Sequence, residues 1–142
     1  MYKAYFIDLD GTMYKGKERI PTAEVFIKRL QEANIPFLFV TNNATKTPEQ
    51  VAQNLRENYG TNVEAAEVYT SGVAAVDYIK SHYQVERIMV IGEEAIKNQV
   101  KAAGFTLDSE NPELVLQSLD RNVTYKDLEK ATLAIRGGAT YI

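Results

Sequence analysis

The sequence contains no cysteine, which excludes both disulfide bonds and thiolate chemistry. That absence is compatible with a reducing compartment, and we expect a cytoplasmic protein. Histidine occurs once, as His82, near the predicted end of a helix, where we expect a surface or capping role rather than catalysis. The formal net charge is only −3, which gives no reason to expect nucleic acid or an anionic membrane as a partner.

Long apolar runs are also missing. The longest strongly apolar stretch covers residues 35–40, which is far too short to span a bilayer. Lys3 is followed by only a short apolar run before acidic residues appear, so we expect no signal peptide. Hydrophobic residues nevertheless make up 45% of the 142 residues, which is enough to build a globular core.

Short apolar runs alternate with helical patterns along the chain, which predicts an α/β fold. Strands are predicted at residues 2–7, 35–40, 68–69, 87–92 and 114–116 and from residue 139. Helices are predicted at residues 20–34, 47–59, 70–82, 93–103 and 124–136. Residues 13–20 are polar and predict a loop or small flap. A break near residues 81–86 predicts two units.

Two carboxylates, Asp8 and Asp10, come directly after the first predicted strand. Side chains alternate between the two faces of a strand, so these carboxylates should share one side. Two converging acids repel each other unless a cation lies between them, and oxygen ligands of this kind suit Mg²⁺. Gly11 then allows a sharp turn and is expected to leave amide N–H groups free to face an anion.

Thr41, Asn42 and Asn43 follow the second predicted strand. That strand is apolar on both faces, as expected of a central parallel strand, and ligands in such sheets lie beyond the carboxyl ends of the strands. If the two strands are neighbours, the acids and these polar groups meet in one crevice. Each part alone has a plain structural explanation: a turn or helix cap for the acids, a cap for Thr41, and a turn for the asparagines.

The chain resembles the haloacid dehalogenase superfamily, and within it the NagD-type phosphatases. The motifs that carry the resemblance are Asp8-Leu9-Asp10-Gly11-Thr12, Thr41-Asn42-Asn43, Thr70-Ser71-Gly72, Val90-Ile91-Gly92-Glu93 and Leu119-Asp120-Arg121-Asn122-Val123-Thr124-Tyr125. The resemblance implies a Rossmann-like core, a parallel sheet with flanking helices, with an inserted α/β cap. We expect residues 1–84 to form part of the core and residues 85–142 part of the cap.

The same resemblance assigns roles to individual residues. Asp8 is expected to be the nucleophile and Asp10 the general acid and base, with Mg²⁺ bound by the Asp8 side chain and the Asp10 carbonyl. Phosphate contacts are expected from Leu9, Gly11, Thr41, Asn42 and Asn43. The family completes its site with a lysine and a further acidic metal ligand that lie after the cap. Neither has a counterpart here, so we expect both units to be incomplete parts of a longer protein.

Three hypotheses for function follow. The first is a Mg²⁺-dependent phosphomonoester hydrolase that acts on small phosphorylated metabolites, such as sugar phosphates or nucleotides, through an aspartyl phosphate. The second is a truncated, catalytically incompetent chain that only binds phosphate or self-associates, because an unfinished sheet exposes apolar edges. The third, less favoured, is an aspartate phosphorylated for signalling. A homo-oligomer is compatible with each.

Overall fold

The structure, a computed structural model, describes residues 2–142, and the chain divides into two compact units. Of the described residues, the first unit contains 2–42 and 48–71, and the second contains 43–47 and 72–142. Within the described residues, none of the helices has the length and apolar character needed to cross a membrane. The α/β class predicted from the sequence is confirmed.

The elements are numbered in chain order. The strands are β1 (Tyr5–Ile7), β2 (Tyr14–Lys15), β3 (Glu18–Arg19), β4 (Phe37–Thr41), β5 (Val68–Thr70), β6 (Arg87–Ile91), β7 (Thr106–Leu107), β8 (Leu114–Gln117) and β9 (Thr140–Tyr141). The α-helices are α1 (Pro21–Glu32), α2 (Pro48–Tyr59), α3 (Ser71–His82), α4 (Glu94–Ala102) and α5 (Tyr125–Arg136). A short 3₁₀ helix, Ala65–Glu67, precedes β5.

The first unit is built on a parallel sheet with the strand order β1-β4-β5. Ile7 lies opposite Phe39, and Phe39 lies opposite Val68, so β4 is central as predicted. Helices α1 and α2 supply the apolar side chains that pack on one face of this sheet, and their proline residues occupy the first helical position. The core cluster contains Ile7, Leu9, Met13, Ile27, Leu30, Phe39, Val51, Ala52, Leu55, Tyr59, Val63 and Val68.

The opposite face of this sheet is exposed, although the apolar strands predict a sheet that is buried on both faces. Phe6 on the first strand is apolar yet 81% exposed, and Val40 on the central strand is also exposed. On α1, Val25 and Phe26 are likewise exposed. The strands therefore carry the composition of a sheet that is buried on both faces, while only one face is packed among the described residues.

Residues 13–20, predicted as a loop or flap, form a small antiparallel hairpin from β2 and β3. Tyr14 pairs with Arg19, and Lys15 pairs with Glu18. Met13, at the base of the hairpin, is completely buried in the core of the first unit. The flap is thus an ordered element whose base belongs to the core.

The second unit contains a parallel sheet with the strand order β7-β6-β8-β9. Helices lie on both of its faces, because two separate core clusters flank it. One cluster joins Ile88 and Leu116 to side chains of α3 and α4, and the other joins Met89 and Val115 to Ala131 of α5. This is a doubly wound arrangement.

The two compact units divide earlier in the chain than the predicted break near residues 81–86. Val76 and Ile79 of α3 pack in one cluster with Ile88 and Ile96, so all of α3 after Ser71 belongs to the second unit. The assignment of core and cap to stretches of the chain stays a prediction.

Candidate active site

Asp8 and Asp10 lie just beyond the carboxyl end of β1, and both are exposed. Ile7, which precedes Asp8, and Leu9, which lies between the two acids, are both buried, and only 1% of Leu9 is exposed. The alternation of the strand therefore continues for a few residues past its end. It places the two carboxylates away from the core.

A tight turn follows the first carboxylate and carries the second. The Leu9 carbonyl accepts hydrogen bonds from the Thr12 amide at 3.1 Å and the Met13 amide at 2.9 Å. Gly11 has a φ of 87°, as expected of a glycine at a sharp turn. Its amide donates a 2.6 Å hydrogen bond to the Tyr14 carbonyl, so the expectation that this N–H faces an anion is wrong. Gly11 supplies the turn itself.

The pKa of the Tyr14 side chain is influenced by both carboxylates. Burial raises the pKa of Tyr14 to about 12, and the negative charges of Asp10 and, more weakly, Asp8 raise it in the same direction. A further contribution comes from Tyr59. Both carboxylates therefore lie close enough to Tyr14 to act on the same phenol.

Thr41 and Asn42 lie at the carboxyl end of β4, the strand beside β1. Thr41 is buried and pairs in register with Thr70 of β5, while Asn42 is exposed. The Ser71 hydroxyl donates a 2.8 Å hydrogen bond to the main-chain carbonyl of Asn42. The sequence analysis names Ser71 within the motif Thr70-Ser71-Gly72, but no local pattern shows this contact across 29 residues.

Asn43 belongs to the second unit and forms a turn there. Its side-chain oxygen accepts hydrogen bonds from the amide and the hydroxyl of Thr45, at 2.8 Å and 2.7 Å. This is the turn that was the plain structural explanation for the asparagine pair. The side-chain oxygen of Asn43 thus has two partners within the protein.

An open depression of about 710 Å³ connects two of the predicted residues. Asp8 and Asn42 line it together with the uncovered face of the sheet, represented by Phe6, Val40 and Tyr69. The structure therefore brings one of the two acids and one of the two asparagines to a single cavity with an apolar floor.

The donor atoms at this edge are compatible with a magnesium ion. Across residues 2–142, no group of three or more His, Cys, Asp or Glu side chains is arranged to hold a metal. Asp8 and Asp10 supply carboxylate and main-chain oxygens only. Magnesium typically takes one or two carboxylates, with water and phosphate oxygens completing its shell, so this oxygen-only set fits the ion.

His82 lies away from these groups in sequence and is exposed on α3. Its ring stacks on Tyr78 with centroids 4.2 Å apart, and its Nδ1 lies 3.0 Å from the Tyr78 carbonyl oxygen. The predicted surface position of the single histidine is confirmed.

Comparison with protein families gives a match over residues 5–106 to the haloacid dehalogenase-like hydrolases, which includes both motifs that follow β1 and β4. The chain belongs to this family. The superfamily predicted from the motifs is therefore confirmed. Because β1 and β4 pair in parallel, the two motifs of the hydrolase family follow adjacent strands of one sheet.

Several similar proteins and solved structures have names of phosphatases or of a nucleotidase. The chain is 40% identical over 141 residues to 5'-nucleotidase YutF of Bacillus subtilis, covering 99% of this chain and 55% of that protein. It is 45% identical over 142 residues to acid sugar phosphatase of Staphylococcus epidermidis, covering 99% and 54%. The crystal structure of 4-nitrophenylphosphatase from Thermotoga maritima matches with 32% identity and a TM-score of 0.90, covering 98% and 53%. The chain thus spans about half the length of these relatives.

Proposed function

We propose that this chain provides the nucleophile side of a Mg²⁺-dependent phosphomonoester hydrolase. The observation that carries the proposal is the position of Asp8 and Asp10 at the carboxyl end of β1, next to Thr41 and Asn42 at the end of the paired strand β4. Ligands of open parallel sheets bind at this edge. Membership of a hydrolase family and the phosphatase names of its relatives support the same reaction class.

The proposed reaction uses one carboxylate for each of two tasks. An Asp8 oxygen attacks phosphorus and the bond from phosphorus to the ester oxygen breaks, which leaves an aspartyl phosphate. Asp10, in its protonated form, donates its proton to the departing alcohol oxygen. Asp10 then accepts a proton from the attacking water, which releases inorganic phosphate and restores the Asp8 carboxylate. The net change is one ester and one water converted to an alcohol and phosphate.

The remaining residues bind and orient the phosphoryl group. A bound Mg²⁺, held by the Asp8 side chain and the Asp10 carbonyl, would neutralise phosphate charge that otherwise repels the incoming carboxylate. Thr41 and Asn42 are proposed to contact phosphoryl oxygens where negative charge develops. Leu9 can contribute through the main chain of the turn, whereas the Gly11 amide already donates to the Tyr14 carbonyl.

Sugar phosphates and nucleotides are the proposed substrates, in a cytoplasmic setting and without nucleic acid or membrane partners. The names of two relatives, an acid sugar phosphatase and a 5'-nucleotidase, support these classes. We also propose that residues 1–84 contribute to a catalytic core and residues 85–142 to a cap.

Hydrolysis of p-nitrophenyl phosphate by the 142-residue chain, with and without Mg²⁺, tests the proposal. We expect Mg²⁺-dependent turnover that Asp8→Asn lowers by roughly 10³-fold or more, as for other removed nucleophiles. Asp77→Asn, the same chemical change at an exposed position of α3, is the matched control and should retain activity. Equal activity in wild type and Asp8→Asn would refute the role of Asp8.

A second candidate function is phosphate binding without turnover. It is favoured by the two-carboxylate donor set in the described part of the chain. Calorimetric titration with inorganic phosphate separates the two. Binding that requires Asp8, without p-nitrophenyl phosphate turnover, would support this candidate over the hydrolase.

A further inference from the structure

The turn that carries Asp10 is held mainly by its own main chain and by the hairpin after it. Asp10 and Tyr14 form an isolated β-bridge, and the Gly11 amide donates to the Tyr14 carbonyl at 2.6 Å. The base of the hairpin is closed by the Ile20 amide, which donates to the Met13 carbonyl at 3.2 Å. The position of Tyr14 therefore determines the shape of the turn around Asp10.

The ring of Tyr14 is fixed in turn by a residue distant in sequence. Tyr14 stacks on Tyr59 with ring centroids 4.7 Å apart and an angle of 25° between the ring planes. Tyr59 is the last residue of α2 and is only 6% exposed, so its ring is set by the core of the first unit. Stacking of this kind favours one relative orientation of two rings.

A second contact anchors the other strand of the hairpin. The Arg19 guanidinium binds both carboxylate oxygens of Glu24 in the first turn of α1, at 2.8 Å and 2.6 Å. The same guanidinium passes over Gly60, with its Nη2 3.8 Å from the position that a Cβ on Gly60 would take. The hairpin is thus attached to α1 through Arg19 and to the end of α2 through Tyr14.

We propose that Tyr59 is a positioning residue for Asp10, which acts by stacking on Tyr14 and so holding the hairpin against the turn. The chain of contacts is short: Tyr59 fixes the Tyr14 ring, the Tyr14 carbonyl fixes the Gly11 amide, and Gly11 follows Asp10 directly. The consequence for metal and proton transfer rests on the proposed function of Asp10. The structural part, control of the turn by Tyr59, does not.

Hydrogen exchange of the full 142-residue chain, followed by NMR, tests the structural part. Tyr59→Leu keeps an apolar side chain but removes the stacking, and Tyr59→Phe keeps the stacking. We expect the Gly11 amide to exchange about three- to tenfold faster in Tyr59→Leu and at the wild-type rate in Tyr59→Phe. The Ile35 amide, which donates to the Leu30 carbonyl at 2.9 Å in the same unit, reports any general loss of protection.

Phe26→Leu is the matched control. It removes a different aromatic contact of the first unit, the edge-to-face pair of Tyr5 and Phe26 with centroids 5.4 Å apart. It should leave Gly11 exchange unchanged. The proposal is overturned if Gly11 exchange does not change in Tyr59→Leu, or if Phe26→Leu accelerates it equally. If Tyr59→Leu does not fold, Tyr14→Leu removes the same stack from the half-buried side, with the same expected and contrary results.

Titration with Mg²⁺ alone provides the functional readout. We expect the dissociation constant to rise about three- to tenfold in Tyr59→Leu, and to return to the wild-type value in Tyr59→Phe. A wild-type chain that does not bind Mg²⁺ would contradict the proposed function, while faster Gly11 exchange in Tyr59→Leu would still uphold the positioning role. Normal Mg²⁺ affinity with accelerated Gly11 exchange would limit Tyr59 to a structural role and overturn its action on Asp10.

Discussion

The Ser71 hydroxyl donates a hydrogen bond of 2.8 Å to the main-chain carbonyl of Asn42. Ser71 begins α3, directly after β5, and Asn42 directly follows β4. The bond therefore ties together the carboxyl ends of two neighbouring parallel strands. Parallel pairing aligns Thr41 with Thr70, so the two residues that follow these threonines are brought together by the sheet register itself.

Loss of this bond should weaken both the fold and the proposed phosphate site. Ser71→Ala is expected to lower the free energy of unfolding by about 1 kcal/mol, the usual net value of one hydrogen bond. Because the Asn42 main chain loses a partner, we also expect weaker binding of inorganic phosphate. Urea denaturation and calorimetric titration measure the two effects.

Ser81→Ala is a closely matched control for that variant. Its hydroxyl donates at 2.7 Å to the Asp77 carbonyl one turn earlier in the same helix, so only a local bond is lost. Phosphate binding should not change. Equal phosphate affinity in Ser71→Ala and wild type would show that the hydrogen bond between Ser71 and Asn42 does not contribute to phosphate binding.

Comparing Gly11→Ala with Gly16→Ala should show whether Mg²⁺ binding depends on the turn that carries Asp10 or on backbone strain in general. Gly11 has a φ of 87° and Gly16, in the hairpin loop, has a φ of 63°, and no heavy atom lies near the Cβ position of either. Each alanine is therefore expected to cost about 1–2 kcal/mol of conformational strain. Only Gly11→Ala should also reduce Mg²⁺ affinity, as measured by titration. A similar loss of Mg²⁺ affinity in Gly16→Ala would contradict the assignment of the Mg²⁺ site to the turn of Asp8 and Asp10.

Much of this fold could be predicted because local sequence patterns indicate the succession of its helices and strands. Helix α5 illustrates this: it is predicted over residues 124–136, and in the structure Thr124 caps it while Gly137 and Gly138 follow its last residue. The positions of Asp8 and Asp10 were likewise predictable, since they depend only on the period of a strand and on where that strand ends. Local pattern and tertiary structure agree at these positions.

The remaining features depend on contacts that no local pattern contains. The strand β7 has two residues, too few to show a period, and exists because it pairs with β6. The exposure of Phe6 could not be predicted, because its composition indicates burial and only the three-dimensional arrangement leaves that face open. The Gly11 amide was expected to face an anion, but the hairpin that accepts its hydrogen bond is formed by two-residue strands.

Two phenylalanines on paired strands of the first unit should differ sharply in their effect on stability. Phe39 is completely buried in the core, whereas Phe6 is 81% exposed. We expect Phe39→Ala to lower the free energy of unfolding by about 3–5 kcal/mol and Phe6→Ala by less than about 1 kcal/mol. Urea denaturation measures both. A large loss in Phe6→Ala would show that its face of the sheet is covered in solution.

Glu113 provides a pH-dependent contribution to the stability of the second unit. Its carboxylate accepts 2.9 Å hydrogen bonds from the main-chain amides of Arg87 and Glu86, which joins the start of β6 to the residue before β8. These two bonds, with a smaller contribution from the Arg87 charge, hold the pKa of Glu113 below its ordinary value of 4.5.

The sign of the effect follows from this lowered pKa. Since the folded state binds the proton less readily than the unfolded chain, the stabilisation by ionised Glu113 is fully present above pH 4.5. It is lost as the pH falls below that value through the lower pKa of the folded state. The difference in free energy of unfolding between wild type and Glu113→Gln should therefore stay constant from neutral pH to about pH 5.5 and narrow on further acidification.

Urea denaturation of both proteins at a series of pH values between about 3.5 and 7 measures this difference. Glu129→Gln serves as the control, because Glu129 is exposed on α5 and forms no ion pair among residues 2–142. Its difference from wild type should remain near zero throughout. A wild-type advantage over Glu113→Gln that persists or grows at the acidic end would mean that the carboxylate is not bound by the two amides in solution.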